Sequence, residues 1–405
     1  MSVSAARSAA YEVLLRVFEH DAYADRAFRT AARHLDERDR AFAQRLAYGA
    51  VQRVRTLDYA IDTLGRRPTR KLDPPVRAAL RLGAYQLGYT DTAPHAAANE
   101  SVELVRRARL ERAVPFTNAV MRRLTQGIVP LLDSLPDGAL KESYPDWIAE
   151  TFTRDLGREA ALELMRAMNE PLETVVRLVD GELTGEPPGE PTDIPGAYRV
   201  SRVDDLAVAE GRIWPQSRGS QLAGLVVGAQ DGERVLDLCA APGGKTSQLR
   251  GEVTAVEIDP NRASELRANL ATMHRTNVTV VEADATALPS GLDRFDRALV
   301  DAPCSGLGVL AQRPDLRWRA APLPELQLAL LRSAAERVRP GGTILYSVCT
   351  INADENEAVV DASGLRVLAL GEEWPQFAHP RDPRFLLTLP HVHGTSGFFV
   401  GRLQV

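Results

Sequence analysis

The chain has 405 residues, of which 44% are hydrophobic and 25% charged, and its formal net charge is −5. This length favours two or three domains, and the composition is typical of a globular protein. No apolar stretch approaches the ~18 residues of a membrane-spanning helix, and charges near the N-terminus argue against a secretory signal. Three cysteines (Cys239, Cys304 and Cys349) make no disulfide framework and favour reduced thiols, so we expect a cytoplasmic protein without membrane contact.

Positive charge is concentrated in the first third of the chain. Residues 1–130 hold 22 Lys and Arg against 14 Asp and Glu, whereas the remainder holds 27 against 40. Apolar residues from 4 to about 125 recur at helical spacing, which predicts an all-helical first domain over 1–130. A basic domain joined to an acidic one suggests docking on a polyanion, although solvated helix faces give the same charge pattern.

The pattern changes after this helical region. Residues 126–146 are predicted to be a linker, a helix is expected over 146–168 and a strand over 173–179, which together predict a small α/β element at 140–200. From 204 to 405 strands alternate with helices, which predicts a Rossmann-like, mostly parallel, doubly wound sheet. The strands are expected at 234–239, 253–258, 277–282, 297–302, 342–349, 365–370 and 396–403, and the helices at 217–228, 244–250, 260–273 and 323–338.

A glycine-containing loop, C-A-A-P-G-G-K-T (239–246), follows the first strand of this sheet. Gly243 and Gly244 let bare backbone approach a ligand, but neither the P-loop nor the G-x-G-x-x-G pattern is present. Glu257 ends the second strand and suits ribose hydroxyls, and Asp284 follows the third, where it suits an adenine amino group. With Asp301 near the charged end of the ligand, S-adenosylmethionine fits best. A structural turn with surface acids is the alternative, and no metal site is predicted.

Two cysteines follow neighbouring strands of the same sheet. Cys304 comes after the fourth strand and Cys349 ends the fifth, so both are expected at the edge that carries the cofactor loop. A lone cysteine there is commonly a core residue, but two beside a methyl donor suit methylation of cytosine carbon 5. A thiolate that adds to carbon 6 makes carbon 5 nucleophilic, and a second thiol can assist release. Asp301 is a candidate to supply a hydrogen bond to N3.

Several segments of the second half resemble the RNA cytosine-C5 methyltransferases. They are V-L-D-L-C-A-A-P-G-G-K-T-S-Q-L (235–249), V-D-A-P-C-S-G-L-G-V-L (300–310), R-P-D-L-R-W-R (313–319), Y-S-V-C-T-I-N-A-D-E-N-E-A-V-V (346–360) and the final H-G-T-S-G-F-F-V-G-R-L. The resemblance implies that Cys349 is the nucleophile and that Cys304 assists release of the adduct. DNA cytosine-C5 enzymes attack instead with the sulfur of their Pro-Cys pair.

The same resemblance implies which residues bind S-adenosylmethionine: Cys239, Ala240, Ala241, Pro242, Gly243, Gly244, Lys245, Glu257, Arg262, Asp284 and Asp301. It also implies that Lys245 bridges the cofactor and the Asp301 region. Two departures from the family pattern stand out. Ser217 and Arg218 replace an Asp-Glu pair, which affects substrate-side contacts, and Ser396 stands where Asp is frequent.

The helical region is similar to the antitermination factor NusB at A-P-H-A-A-A-N-E-S-V-E-L-V-R-R-A (93–108) and P-F-T-N-A-V-M-R-R-L (115–124). A NusB-like domain fused to this catalytic domain is typical of the bacterial 16S rRNA (cytosine-C5) methyltransferases of the RsmB/Sun type. We therefore expect a monomer that binds RNA, with 16S rRNA as substrate. A tRNA cytosine-C5 methyltransferase and a catalytically silent RNA-binding ribosome-assembly factor are the alternatives. A small-molecule methyltransferase does not account for the two cysteines.

Overall fold

The computed structural model describes residues 3–181, 186–292 and 294–405. Its helices, in chain order, are α1 (Ala5–Glu19), α2 (Ala24–Ala31), α3 (Glu37–Gln52), α4 (Val54–Gly65), α5 (Pro74–Tyr89), α6 (Pro94–Arg107), α7 (Val114–Asp133), α8 (Ala139–Glu142), α9 (Asp146–Leu156), α10 (Arg158–Ala167), α11 (Asp205–Ala209), α12 (Arg218–Val226), α13 (Pro260–Thr272), α14 (Leu316–Arg319), α15 (Pro324–Arg337), α16 (Glu357–Ser363) and α17 (Pro390–His393).

The strands, in chain order, are β1 (Val175–Leu178), β2 (Glu190–Pro191), β3 (Ala197–Arg199), β4 (Ile213–Pro215), β5 (Arg234–Leu238), β6 (Glu252–Glu257), β7 (Val278–Glu282), β8 (Phe295–Asp301), β9 (Val338–Val348), β10 (Arg366–Leu368), β11 (Leu386–Thr388) and β12 (Phe398–Gln404). The elements form two compact units. The first comprises residues up to Glu170 with Leu310–Arg319, and the second comprises Pro171–Val309 with Ala320–Val405. Residues 140–170 of the expected small α/β element thus lie in the first unit and residues 171–200 in the second.

The first unit is helical, as the apolar spacing predicted. Its core combines residues from α1, α3, α4, α5 and α7, such as Val13, Leu46 and Leu80. The prediction of a linker over 126–146 was wrong, because α7 continues to Asp133 and α8 follows it. The single helix expected over 146–168 is divided into α9 and α10, since Gly157 has a φ of +84°, outside the helical region.

The segment Leu310–Arg319 is part of this helical unit. Arg317 of α14 is 1% exposed, its Nη2 donates to the carbonyl of Met168 at 3.0 Å, and its guanidinium lies 3.9 Å from the ring centroid of Tyr144. Trp318 Nε1 donates to the carbonyl of Val51 at 2.7 Å. Hydrogen bonds and a cation–π contact thus fix the R-P-D-L-R-W-R segment among the helices of the first unit.

The second unit contains two sheets. The smaller has the antiparallel order β2-β3-β1-β4, and the larger has the order β10-β12-β9-β8-β5-β6-β7, with β11 paired to β12. Strands β9, β8, β5, β6 and β7 are parallel, which confirms the predicted mostly parallel sheet. The prediction of a helix over 244–250 was wrong. The chain forms only a single 3₁₀ turn, Thr246–Gln248, before it becomes extended at Leu249 and enters β6. Among the described residues, no helix is long and apolar enough to cross a membrane.

Candidate active site

The carboxyl ends of the parallel strands meet at one edge of the larger sheet. The register pairs Leu238 of β5 with Val300 of β8, so Cys239 and Asp301, the next residues, lie side by side. Val300 is paired in turn with Tyr346 of β9, three residues before Cys349. Because the strand order reverses between β5 and β8, this edge is the place where open α/β sheets bind ligands.

Cys304 and Cys349 are in contact at this edge. Their sulfur atoms lie 3.4 Å apart, and both residues are partly exposed. The backbone joins their loops, since Gly308 N donates to the carbonyl of Cys349 at 3.0 Å. The hydrogen bond from Cys304 lowers the pKa of Cys349, and the same bond, together with burial, raises the pKa of Cys304. The pair therefore ionises in a defined order, with Cys349 first.

Cys239, the third cysteine, differs from this pair. Burial raises the pKa of its thiol to about 12, with the nearby carboxylates of Asp301 and Glu257 acting in the same direction. Cys239 also has a φ of +62°, which places it in the left-handed region at the start of the cofactor loop. Its thiol stays protonated at neutral pH, so it lacks the thiolate character that a nucleophile needs.

Lys245 connects the cofactor loop to the end of β8. Its Nζ lies 2.8 Å from Asp301 Oδ2 and 4.8 Å from the ring centroid of Phe398. The lysine is close enough to Cys349 to lower the pKa of that thiol, whereas Asp301 raises it. The ion pair and the aromatic face together restrict the ammonium group to the neighbourhood of the cysteines.

Gly243 and Gly244 of this loop differ in why glycine suits each position. Gly243 has a φ of +102°, a conformation that favours glycine, and a Cβ there would also come within 2.8 Å of Leu266 Cδ1. A Cβ at Gly244 would make only ordinary contacts, the nearest at 3.6 Å. No described residue comes close enough to require glycine at Gly244, and the bare backbone there leaves space for a ligand.

Side chains fix the path of this loop through three consecutive carbonyl oxygens. These accept hydrogen bonds as follows: Ala240 from Thr246 Oγ1 (3.2 Å), Ala241 from Arg262 Nη2 (2.8 Å) and Pro242 from Asn269 Nδ2 (2.8 Å). Arg262 Nη2 also lies 3.4 Å from Glu257 Oε2. The structure thus brings Arg262 to both the cofactor loop and the acid at the end of β6.

The two acids expected to bind a nucleoside have different surroundings. Glu257 is 2% exposed, and within the described residues its Oε2 accepts no hydrogen bond. A buried carboxylate oxygen in this state fits a ligand hydroxyl, because buried polar atoms are normally hydrogen-bonded. Asp284 is exposed, and its Oδ1 accepts hydrogen bonds from the backbone and hydroxyl of Thr286 at 2.8 and 2.7 Å.

Asp237, in the middle of β5, is a buried acid near Asp301 that the sequence reasoning missed. It is 1% exposed, and neither carboxylate oxygen makes a hydrogen bond of normal geometry to a described residue. Burial raises its pKa to about 7, and the Asp301 carboxylate contributes in the same direction. An acid inside the apolar run R-V-L-D-L was the available signal.

Arg177 of β1 is a second residue that was missed. It is 4% exposed, Nε donates to Gln216 Oε1 at 2.9 Å, and Nη2 donates to the carbonyl of Gly244 at 3.3 Å and to Ser247 Oγ. Gln216 in turn donates to Gln248 Oε1 at 2.8 Å. A strand of the smaller sheet thus supports the cofactor loop from behind.

Both departures from the family pattern have a structural place. Arg218 is 5% exposed and lies 2.6 Å from Glu173 and 2.7 Å from Asp193, so its charge is paired within the second unit. Ser396 is 2% exposed, and its carbonyl accepts a hydrogen bond from Thr388 Oγ1 at 2.7 Å. At both positions these interactions hold segments of the fold together.

The sheet order and the loop after β5 define a Rossmann-like methyltransferase fold, with a NusB-like helical unit before it. Residues 225–404 match the family described as 16S rRNA methyltransferase RsmB/F, and residues 4–126 match the NusB family. A probable ribosomal RNA small subunit methyltransferase B of Synechocystis sp. is 32% identical over 456 residues, covering 98% of this chain and 99% of that protein. Its counterpart in Bacillus subtilis is 29% identical, with coverages of 99% and 98%. The chain belongs to this family of ribosomal RNA methyltransferases.

The fold is also shared with a solved structure. The crystal structure of PH0851 matches with a TM-score of 0.83 at 23% sequence identity, covering 100% of both chains. As a member of this methyltransferase family, the protein uses S-adenosylmethionine. The bare backbone at Gly244 fits such a ligand, and so does Oε2 of Glu257, which accepts no hydrogen bond from a described residue.

Proposed function

We propose that the protein transfers a methyl group from S-adenosylmethionine to carbon 5 of a cytosine in 16S ribosomal RNA through a covalent adduct to Cys349. The observation that carries the proposal is the 3.4 Å contact between the sulfurs of Cys304 and Cys349. Methylation of an amino group needs no thiol, whereas carbon 5 of cytosine needs a nucleophile on carbon 6 before it can accept a methyl group. Two thiols at the cofactor edge supply a nucleophile and a second group for release.

The order of ionisation supports Cys349 as the attacking residue. Its pKa is lowered by the hydrogen bond from Cys304, so the thiolate forms there first. The thiolate forms the S–C6 bond, and the electron pair of the C5–C6 double bond moves to carbon 5. Carbon 5 then bonds to the methyl group that S-adenosylmethionine supplies in electrophilic form, while the electrons of the broken methyl–sulfur bond stay with the donor sulfur.

Release requires loss of the proton on carbon 5, and Cys304 is placed to assist. The largest cause of its raised pKa is the hydrogen bond to Cys349. Once Cys349 is bonded to carbon 6 it is no longer a thiolate, so that cause is removed, and Cys304 more easily gives its proton to solvent and becomes a thiolate. Cys304 then takes the carbon 5 proton, the C5–C6 double bond re-forms, and the Cys349 thiolate leaves.

We assign the hydrogen bond to N3 of the cytosine to Asp301. Its Oδ2 lies 2.8 Å from Lys245 Nζ, and this ion pair holds the carboxyl group at the cofactor edge. The cofactor is assigned to the 239–245 backbone, with Glu257 at the ribose hydroxyls, Asp284 at the adenine and Arg262 behind the loop.

The first unit supplies a surface suited to RNA. A cavity of about 300 Å³ is lined by Arg67, Lys71 and Arg112 with the ring of Phe116, and the three basic residues are exposed. Among the described acids, Asp73 lies 3.5 Å from Arg112. Exposed arginine and lysine around one concave surface suit phosphate groups, and binding through them is expected to weaken with salt.

Transfer of a tritiated methyl group to unmodified 16S rRNA tests the proposal, with digestion to nucleosides to identify 5-methylcytidine. We expect Cys349→Ala to abolish transfer and Cys304→Ala to leave RNA trapped on the protein in denaturing gels. If Cys304→Ala prevents the adduct and Cys349→Ala still forms it, the roles are reversed.

The same experiment separates the alternative functions. Labelling of transfer RNA without ribosomal RNA would keep the chemistry and change the substrate. Absence of labelling on every RNA, with the protein still binding RNA, would favour a silent assembly factor.

A further inference from the structure

Glu355 is a carboxylate without exposed surface, six residues after Cys349. A charged group in this position is costly unless hydrogen bonds replace the water it has lost. It accepts five hydrogen bonds: from Ser305 N (2.9 Å), Ser305 Oγ, Leu323 N (3.1 Å), Gln327 Nε2 (2.9 Å) and Asn352 Nδ2 (3.4 Å). This is the set of donors that stabilises an ionised carboxylate inside a protein.

These donors come from both cysteine loops. Ser305 directly follows Cys304, and Asn352 lies three residues after Cys349. The Ser305 hydroxyl also lies 2.8 Å from Thr350 Oγ1, on the residue after Cys349. The Glu355 carboxylate therefore accepts hydrogen bonds from residues that follow each of the two cysteines in sequence.

The start of α15 completes the network. The Gln327 side-chain amide donates to Glu355 Oε1 and also to the carbonyl of Pro303, which precedes Cys304, each at 2.9 Å. The backbone carbonyl of Glu355 accepts a hydrogen bond from Tyr346 of β9 at 2.7 Å. The residues before and after Cys304 are therefore both hydrogen-bonded to this network. The network is in turn hydrogen-bonded to β9, the strand that leads to Cys349.

We propose that Glu355 is a positioning residue that keeps the two cysteine loops in register, so that their sulfurs touch, and maintains a negative charge beside Cys304. The inference rests on the proposed function. Among the described residues, no cysteine sulfur is hydrogen-bonded to the Glu355 carboxylate, so Glu355 acts through Ser305, Gln327 and Asn352.

Charge on Glu355 gives the pair an electrostatic asymmetry. It adds to the larger effects of Cys349 and burial that raise the pKa of Cys304, whereas Lys245 contributes to lowering the pKa of Cys349. Both effects favour a proton on Cys304 over one on Cys349. Removing the charge at Glu355 should therefore weaken this preference even where the fold is intact.

Glu355→Gln tests the inference, because it keeps the side-chain shape, removes the charge and turns one acceptor into a donor. Limited alkylation with iodoacetamide, read by peptide mass spectrometry, gives the ratio of Cys349 to Cys304 labelling without RNA. We expect this ratio to fall at least about fivefold and single-turnover methyl transfer to fall about tenfold or more, with S-adenosylmethionine affinity unchanged. Asp354→Asn, which removes the neighbouring exposed carboxylate, should leave both readouts at the wild-type values.

A wild-type ratio and rate in a folded Glu355→Gln protein would overturn the inference. If that variant does not fold, Ser305→Ala serves instead, since it removes the hydroxyl between Thr350 and Glu355, and a smaller loss of alkylation preference is expected. The two proposals fail separately. If wild type makes no 5-methylcytidine, but Glu355→Gln loses the alkylation preference, only the proposed function is overturned. If wild type makes 5-methylcytidine, but Glu355→Gln keeps the alkylation preference, only the positioning role is overturned.

Discussion

Arg177 Nη2 donates a hydrogen bond to the carbonyl oxygen of Gly244 at 3.3 Å, and this bond joins a strand of the smaller sheet to the cofactor loop of the larger one. The same guanidinium group also donates to Gln216 and Ser247. Burial lowers the pKa of Arg177 to about 10, so it remains charged at neutral pH. A charged, forked donor in this position fixes the backbone of the loop to which we assign the cofactor.

Arg177→Met should therefore weaken binding of S-adenosylmethionine. We expect a rise in Kd of about tenfold, equivalent to about 1.4 kcal/mol, because the loop loses its support while the residues facing the ligand remain. Isothermal titration calorimetry measures the affinity. Arg212→Met is the matched control, since Arg212 is exposed near β4, and it should bind like wild type. A folded Arg177→Met protein with wild-type affinity would show that the loop holds its shape alone.

The thiol pair predicts a two-step pH dependence of alkylation. The pKa of Cys349 is lowered by the bond from Cys304, and the pKa of Cys304 is raised by the same bond, then by burial. Alkylation of Cys349 should rise with pH and reach half its maximum at a lower pH than alkylation of an ordinary cysteine thiol. Cys304 should react only at higher pH. In Cys304→Ala, the midpoint for Cys349 should move upward, and a fixed midpoint would mean that the bond does not tune this thiol.

The strand ends were predictable because apolar runs and turn residues mark where β5, β8 and β9 stop. That placed Cys304 and Cys349 at one edge, and the structure puts their sulfurs in contact. The hydrogen-bond network of Glu355 was not predictable, because donors such as Ser305 and Gln327 lie far from Glu355 in the sequence. Such partners meet only through the folding of separate loops.

Two further differences have a similar cause. The segment 310–319 was expected in the sheet domain, because its neighbours in sequence belong there, yet Arg317 and Trp318 make their hydrogen bonds with the helical unit. Arg218 stands where the family pattern has an acidic residue, and its positive charge is balanced by Glu173, which lies 45 residues earlier in the sequence. Local periodicity carries no information about either contact.

Asp237 predicts a stability that declines with pH. Its ordinary pKa of 3.8 is raised to about 7 in the folded protein, so the folded state retains a proton that the unfolded state has lost. The contribution of the protonated group is fully present below pH 3.8 and is lost as the pH rises through about 7. Asp237→Asn does not titrate. Its free energy of unfolding relative to wild type should rise between pH 4 and 7, by up to about 4 kcal/mol, and then level off.

Urea unfolding at a series of pH values measures this difference. Asp231→Asn is the control, because Asp231 is exposed and its hydrogen bond with Arg250 lowers its pKa. That variant should differ from wild type by an amount that stays constant from pH 5 to 8. A difference for Asp237→Asn that is equally flat would mean that the buried carboxyl group is ionised throughout, with a partner in the folded protein.

The basic cavity of the first unit predicts a measurable electrostatic share of RNA binding. Replacing Arg67 and Lys71 by Glu should weaken binding of 16S rRNA and reduce the slope of log affinity against log salt by about 1.5, since each phosphate contact contributes about 0.7 to 0.9. Filter binding at several salt concentrations gives the slope. Arg38→Glu with Arg40→Glu changes the net charge equally, at exposed positions on α3. If both double variants lower the slope equally, RNA responds to the overall charge of the unit; if Arg67 and Lys71 dominate, phosphates occupy the cavity.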